Sequence, residues 1–274
     1  MTPAYLYRHP GIAGNGAIAT GLAALCAVSS DTTVLVRSQG AVRRAADRIG
    51  RLCEKIDGAD FSRVSITTDD ADLASCDVVV EAIVENLEIK SDLLRRIDAV
   101  AAESDIATTT SSLKVSELAR LADIDRLFGL HVFNPVPKMD LIEVCIPNGD
   151  AGTRSRALAW CDALGKTGIE VPDQVGFVVN RLLFPYLFDG VRMLEETGMQ
   201  PPDVDACMKL GTGHPMGPLE LLDFVGLDVA LAIGISLFNE TGNPAHSPPD
   251  TILALVKTGK LGRKSNEGFY DYEP

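Results

Sequence analysis

Two tracts of different grain divide the 274-residue sequence and predict an α/β domain followed by an all-α domain. Up to about residue 170, short β-type runs alternate with helical stretches, the pattern of a parallel sheet with right-handed crossovers. Beyond it the apolar spacing is helical and punctuated by Gly and Pro. The change falls at VPDQVG (171–176), giving an N-terminal domain over 1–172 and a C-terminal domain over 173–274. A third observation is a glycine-rich turn, GNGAIATG (14–21), near the start of the α/β tract.

The elements follow in order. RHPGIA (8–13) is the first strand candidate and an imperfect one, because Pro10 and Gly11 suit a central parallel strand badly. Either only Gly11 to Ala13 pair, or Pro10 opens the strand. VLV (34–36) is the next strand, followed by a helical pattern with Val42, Ala45, Ala46, Ile49 and Leu52 on one face. DVVVEAIVE (77–85) opens as a continuous apolar run, as a strand buried on both faces does. Leu87 to Ala101 is helical, DIATTTSS (105–112) is strand into loop, and Val115 to Leu121 is a short helix. FGLHVF (128–133) and DLIEVC (140–145) are two more strands. In the second tract, residues 175–196 form one long, largely buried helix with Pro185 as a kink or turn. Helices from about Leu219 and over Thr251 to Val256 complete it.

Composition bounds the function. Apolar residues make up 46% and charged residues 23%, the balance of a globular chain with a sizeable core. A net charge of −13 argues against sequence-independent binding to nucleic acid or to an anionic membrane, but leaves room for a local basic pocket. Six cysteines (Cys26, Cys53, Cys76, Cys145, Cys161, Cys207) are scattered with no CxxC and no metal-type pairing. They are expected to be buried reduced thiols of a cytoplasmic protein without a metal site. No signal peptide and no transmembrane helix are expected.

The glycine turn fits a dinucleotide fingerprint in its first two positions, Gly14 and Gly16, with Ala19 in the third. Gly14 permits the tight turn, Gly16 lets backbone approach a pyrophosphate, and Ala19 keeps helix and strand close. Such a pattern alone also describes a structural glycine turn. Spacing supports the functional reading: Arg37 follows Gly16 by 21 residues, at the end of the next strand, where the residue that reads the adenosine ribose sits. The first domain is thus expected to be a Rossmann-like dinucleotide-binding domain.

GLHVFNPVPKMDLIEV (129–144) resembles the signature of the 3-hydroxyacyl-CoA dehydrogenase family. VVEAIVENLEIK (79–90), TTSSL (109–113), GFVVNRLL (176–183), MKLGTGHPMGPLELLDFVGLD (208–228) and GRKSNEGFYDY (262–272) agree, in order and over almost the whole chain. The resemblance implies a Rossmann-like domain followed by a helical domain that forms a homodimer. It implies His131 as catalytic acid/base, Glu143 as its carboxylate partner, and Ser111 and Asn180 in contact with substrate. Glu85, Lys90 and Asn134 are implied near the cofactor, although a plain helix-surface role for Lys90 is an equal alternative. Pro135 and Pro137 shape the turn. The chemistry is coherent: oxidising a secondary alcohol needs a base for the hydroxyl proton while a hydride leaves the same carbon, and histidine titrates in the working range. Taken singly, each residue also has an ordinary structural role, such as a strand-end histidine or a helix N-cap serine.

Three departures from the family pattern qualify these implications. Where the family carries Asp after the second strand, this chain has Arg37 and Ser38. A carboxylate repels a 2′-phosphate, whereas an arginine beside a hydroxyl attracts one, which favours NADP over NAD. Arg43 and Arg44, a turn further on, add positive charge. Stacking of Arg37 on adenine is the other reading. Second, the segment from Val42 to Val64 is short, with one helix and then KIDGADFSR (55–63) where the family has a lysine-rich helical hairpin that helps to hold CoA. This opens the thioester carrier to two readings, CoA or an acyl carrier protein. Third, Thr109 stands where the family has asparagine.

The sequence therefore predicts an NAD(P)-dependent oxidoreductase that interconverts a 3-hydroxyacyl and a 3-oxoacyl thioester. The alternatives are a carrier-protein-linked 3-hydroxyacyl dehydrogenase (for example, glyceryl) of polyketide extender-unit biosynthesis, a dehydrogenase of free hydroxy or sugar acids, and a non-catalytic dinucleotide-binding protein.

Overall fold

A computed structural model describes residues 7–273. The chain divides after Gln174 into two compact units. In the first, β1 (Pro10–Ala13), α1 (Ala17–Cys26), β2 (Thr32–Leu35) and α2 (Gln39–Cys53) lead to β3 (Val64–Thr67) and β4 (Val78–Glu81). Then come α3 (Leu87–Val100), β5 (Asp105–Thr108), α4 (Val115–Ala122), β6 (Leu127–Val132), β7 (Leu141–Cys145), α5 (Ala151–Ala163) and β8 (Thr167–Glu170). The second unit is helical: α6 (Val179–Thr197), α7 (Pro201–Thr212), α8 (Pro218–Val225), α9 (Leu227–Thr241) and α10 (Asp250–Lys257). An α/β domain followed by an all-α domain is the fold class the sequence predicts.

The eight strands form one sheet in the order β3-β2-β1-β4-β5-β6-β7-β8. All neighbours are parallel except β6 and β7, which are antiparallel, so the expected parallel sheet is in fact mixed. The reversal has a plain cause. Only eight residues link Val132 to Leu141, too few for the crossover that a parallel pair requires. The order reverses between β1 and β4, and crevices for ligands form at such switch points, outside the carboxyl ends of the strands.

β1 answers the question its sequence raised. Pro10 opens the strand and is in register only with Val78 of β4, whereas Gly11 to Ala13 pair on both sides. Proline in the first position forfeits no interior ladder bond. Gly11 is required by packing, because a side-chain carbon there would press against Leu73 and Cys76.

Several elements differ from the pattern reading. The buried face of α2 is Ala41, Ala45, Ile49 and Cys53; Val42, Ala46 and Leu52 flank it. Strands β3 and β8 carry no fully buried residue, so they lack the apolar run that announces a central strand. Helix α6 starts at Val179, because Gly176 and Phe177 hold positive φ, and continues through Pro185. It buries one face only, with Phe184, Leu187, Phe188 and Val191 inward and Leu182 71% exposed. The C-terminal segment is latched by two buried carboxylates. Asp223 accepts from the amides of Phe269 and Tyr270, and Asp205 caps α8 and accepts from the Tyr270 hydroxyl. Among the described residues no single helix is long and apolar enough to cross a membrane.

Candidate active site

A cavity of about 910 Å³ runs along the carboxyl edge of the sheet, large enough for a cofactor. Its lining follows the strand order. Thr68 follows β3, Arg37 follows β2, Gly14 and Gly16 follow β1, Glu85 follows β4, Ser111 follows β5 and Asn134 follows β6. The topology thus sets an adenosine end at β2 and β3, a pyrophosphate position at the start of α1, and a reactive end at β4, β5 and β6.

The glycine turn fits a dinucleotide. Gly14 has φ +147°, and a side chain there would overlap the carbonyl oxygen of Ala82 and crowd the Ala19 methyl. Gly16, the N-cap of α1, has no atom within 4 Å of an added side-chain carbon, so its outer face is open for a phosphate. No acidic residue occupies the first turn of α1, which leaves its amides and partial positive charge to an anion. Ala19 is wholly buried and acts by packing, without facing the cavity. Gly14→Ala is expected to cost roughly 1–3 kcal/mol in backbone strain, before the overlap is counted, and to abolish cofactor binding. Thermal melting and cofactor fluorescence titration check both effects.

At the adenosine end Arg37 lines the cavity, and among the described residues no carboxylate pairs with it. Ser38 is the N-cap of α2, exposed beside Arg37 but outside the cavity lining, and its side chain caps no amide. Gln39 donates to the Thr68 hydroxyl at 3.2 Å, which ties the two strand ends together.

His131 and Glu143 are directly opposite one another on the antiparallel β6–β7 pair; neither is among the residues that line the cavity, which Asn134 reaches three residues beyond His131. Opposite residues share a face at close range, which brings together side chains twelve residues apart. His131 Nδ1 lies 2.6 Å from Glu143 Oε2, and both residues are buried, at 5% and 1% exposure. A carboxylate on Nδ1 fixes the tautomer and the orientation of the ring. The ring of Phe133 packs on His131 with centroids 4.5 Å apart. Asn134, three residues beyond His131, lines the cavity at the start of a cis Asn134–Pro135 peptide. Asn180 lies in the first turn of α6, buried, in the second unit.

Glu85 is where sequence and structure diverge most usefully. Its Oε1 accepts from the Thr110 hydroxyl at 2.7 Å and from the amides of Ser111 and Ser112 at 2.8 Å each. Burial alone would raise this carboxyl, but the Lys90 charge and the bonds from Thr110, Ser111 and Ser112 together hold it below the usual range. The alternative that Lys90 sits on the helix surface is corrected. It is completely buried, pairs with Glu81 at 2.9 Å and with Glu85 at 3.3 Å, and does not line the cavity. Glu81 escaped the sequence reading altogether. The only trace it leaves there is a carboxylate closing the apolar run Val78–Val80.

A cleft shaped for a dinucleotide, with a buried histidine–carboxylate pair on the strands whose following loop brings Asn134 into it, defines a nicotinamide-dependent dehydrogenase. Residues 10–174 match the model of the 3-hydroxyacyl-CoA dehydrogenase NAD binding domain, and residues 176–272 match that of the C-terminal domain. The chain belongs to the 3-hydroxyacyl-CoA dehydrogenase family and is an oxidoreductase. It is 38% identical to the human mitochondrial hydroxyacyl-coenzyme A dehydrogenase, covering 98% of this chain and 92% of that one. Identity is also 38% with a probable 3-hydroxybutyryl-CoA dehydrogenase of Deinococcus radiodurans, over 96% of this chain and 99% of the relative. The crystal structure of (S)-3-hydroxybutyryl-CoA dehydrogenase from Ralstonia eutropha superposes with a TM-score of 0.91 at 35% identity, covering 98% of this chain and all of the other.

Proposed function

We propose that this protein interconverts a 3-hydroxyacyl and a 3-oxoacyl CoA thioester, with NADP(H) preferred over NAD(H). The observation that carries the reaction is the buried His131–Glu143 pair on the strands beside a dinucleotide cleft. The bound nicotinamide supplies the hydride acceptor. In the oxidative direction His131 takes the hydroxyl proton on Nε2, and Glu143 holds the ring and stabilises the imidazolium that forms. In reduction the same nitrogen returns the proton. Ser111, on the loop after β5 and lining the cavity, donates to the substrate oxygen and orients the carbon for transfer.

The cofactor preference rests on Arg37, a cavity-lining cation among whose described neighbours no carboxylate competes for it. A carrier-protein thioester is the second reading for the substrate. It is favoured by the short connection between α2 and β3, which holds one 3-10 turn, Phe61–Arg63, and no further helix. One experiment separates these readings: steady-state kinetics with matched acetoacetyl-CoA and acetoacetyl-carrier-protein substrates, each with NADH and NADPH. Turnover of the CoA ester with higher kcat/KM for NADPH is expected. No oxidation of either cofactor with any thioester would falsify the assignment.

The helical unit also leaves large apolar side chains exposed, Leu182 at 71% and Leu210 at 88% among them. Such residues seek a partner surface, and a second copy of this chain is the proposed occupant. Light scattering is expected to give a dimer mass, and Leu182→Glu with Leu210→Glu to shift it toward the monomer.

A further inference from the structure

We propose that Glu81, Lys90 and Glu85 form a buried charge relay that positions Ser111, so that Glu81 acts on the reaction from behind the cleft, through Lys90 and Glu85. This rests on the role given to Ser111 above. The arrangement begins at the carboxyl end of β4. Glu81 is wholly buried in the middle of the sheet, in register with Ala13 on one side and Thr108 on the other. A carboxylate there requires compensation. Lys90 donates to both its oxygens, at 2.9 and 3.0 Å, Thr108 donates at 2.7 Å, and the Ile83 amide at 2.8 Å. Lys90 arrives from the first turn of α3, which Asn86 caps by accepting from the Ile89 amide.

Lys90 also reaches Glu85 Oε2 at 3.3 Å. One ammonium thus serves two carboxylates, and the surplus negative charge is met by donors on the loop after β5. Glu85 Oε1 gathers the Thr110 hydroxyl, the amides of Ser111 and Ser112, and the Ser112 hydroxyl at 3.0 Å. Two successive amides on one carboxylate oxygen fix the backbone at Ser111. The Ser111 hydroxyl is the most distant of these donors, at 3.5 Å, so the clamp holds the main chain and leaves that hydroxyl to the substrate. The carboxylate therefore sets where Ser111 stands, Lys90 keeps the carboxylate ionised and aimed, and Glu81 anchors Lys90.

The charged groups that reach Glu85 are Lys90 from α3 and, through it, Glu81 from β4. Asp92 and Arg96 of α3 line the same cavity but pair with Arg95 and Asp70. The pH dependence follows with a definite sign. Burial favours the neutral form of Glu85 and Lys90 opposes it. Removing Lys90 lets the carboxyl take up a proton at higher pH. A protonated Glu85 accepts the two amides more weakly, and the loop loosens as pH falls.

The test uses Lys90→Met and the double variant Glu81→Gln/Lys90→Met, which does not leave two buried carboxylates facing each other if the single variant fails to fold. In folded protein, kcat with a 3-oxoacyl thioester is expected to fall by up to about 100-fold, the cost of a misplacement near 1 Å. The acid limb of the kcat profile is expected to move to higher pH. Hydrogen exchange of the 110–112 peptide is expected to be faster than in wild type at matched acid pH. A folded double variant with the wild-type acid limb and wild-type exchange overturns the relay. If wild type turns over no thioester, the substrate reading fails instead, and exchange still decides the clamp.

Discussion

Replacing His131 with glutamine is expected to lower kcat by about 10²–10⁴-fold, the usual contribution of a positioned acid/base, while leaving cofactor binding intact. The basis is geometric. Glu143 holds one ring nitrogen at 2.6 Å, in a pair buried on adjacent strands, and in the proposed reaction the imidazole exchanges its proton with substrate. Glu143→Gln keeps the shape but removes the charge that opposes the imidazolium. It is expected to lose much of the same rate. The two losses are not expected to add, because both disable one proton-transfer unit. Single-turnover kinetics with cofactor titration separates chemistry from binding. Retention of wild-type kcat in His131→Gln sinks the acid/base assignment, and full additivity of the two substitutions sinks the idea that the pair acts as a unit.

Arg37→Asp is expected to weaken NADPH binding far more than NADH binding, changing their affinity ratio by roughly 10- to 100-fold. That range corresponds to about 1.5–3 kcal/mol for a hydrogen bond to a charged group, and like-charge repulsion adds to it. Arg37 is exposed, so the NADPH preference is also expected to fall as ionic strength rises. Fluorescence titration of both cofactors at two salt concentrations checks both statements. Equal weakening of NADH and NADPH means that Arg37 stacks on adenine and reads no phosphate.

The legibility of the site followed physical lines. Gly14, Gly16 and Arg37, legible from glycine spacing and a strand end, and Glu85, Ser111 and Asn134, implied by the family resemblance, all line the cleft. Residues that act from behind are not visible in this way. Lys90 has the look of a helix-surface lysine because nothing local shows that a carboxylate waits beneath it. The two strands missed, β3 and β8, lie at the sheet's edges, where one side is unpaired and no continuous apolar run is needed. The mixed character of the sheet was legible in one place: twelve residues separate His131 from Glu143, a β-turn-β unit that could bring the two side by side, although the general alternation of strands and helices suggested parallel neighbours throughout.

By itself, then, the sequence determined the two-part architecture, the dinucleotide turn and the identity of the histidine–glutamate pair, because periodicity, glycine spacing and motif order are local properties of the chain. The tertiary structure alone decided the register of β6 and β7, which sets Glu143 directly opposite His131 and buries both. It alone decided that Lys90 is buried between Glu81 and Glu85. Both outcomes depend on which side chains meet across strands and helices distant in sequence, where pairing and desolvation act together and no local pattern records the result.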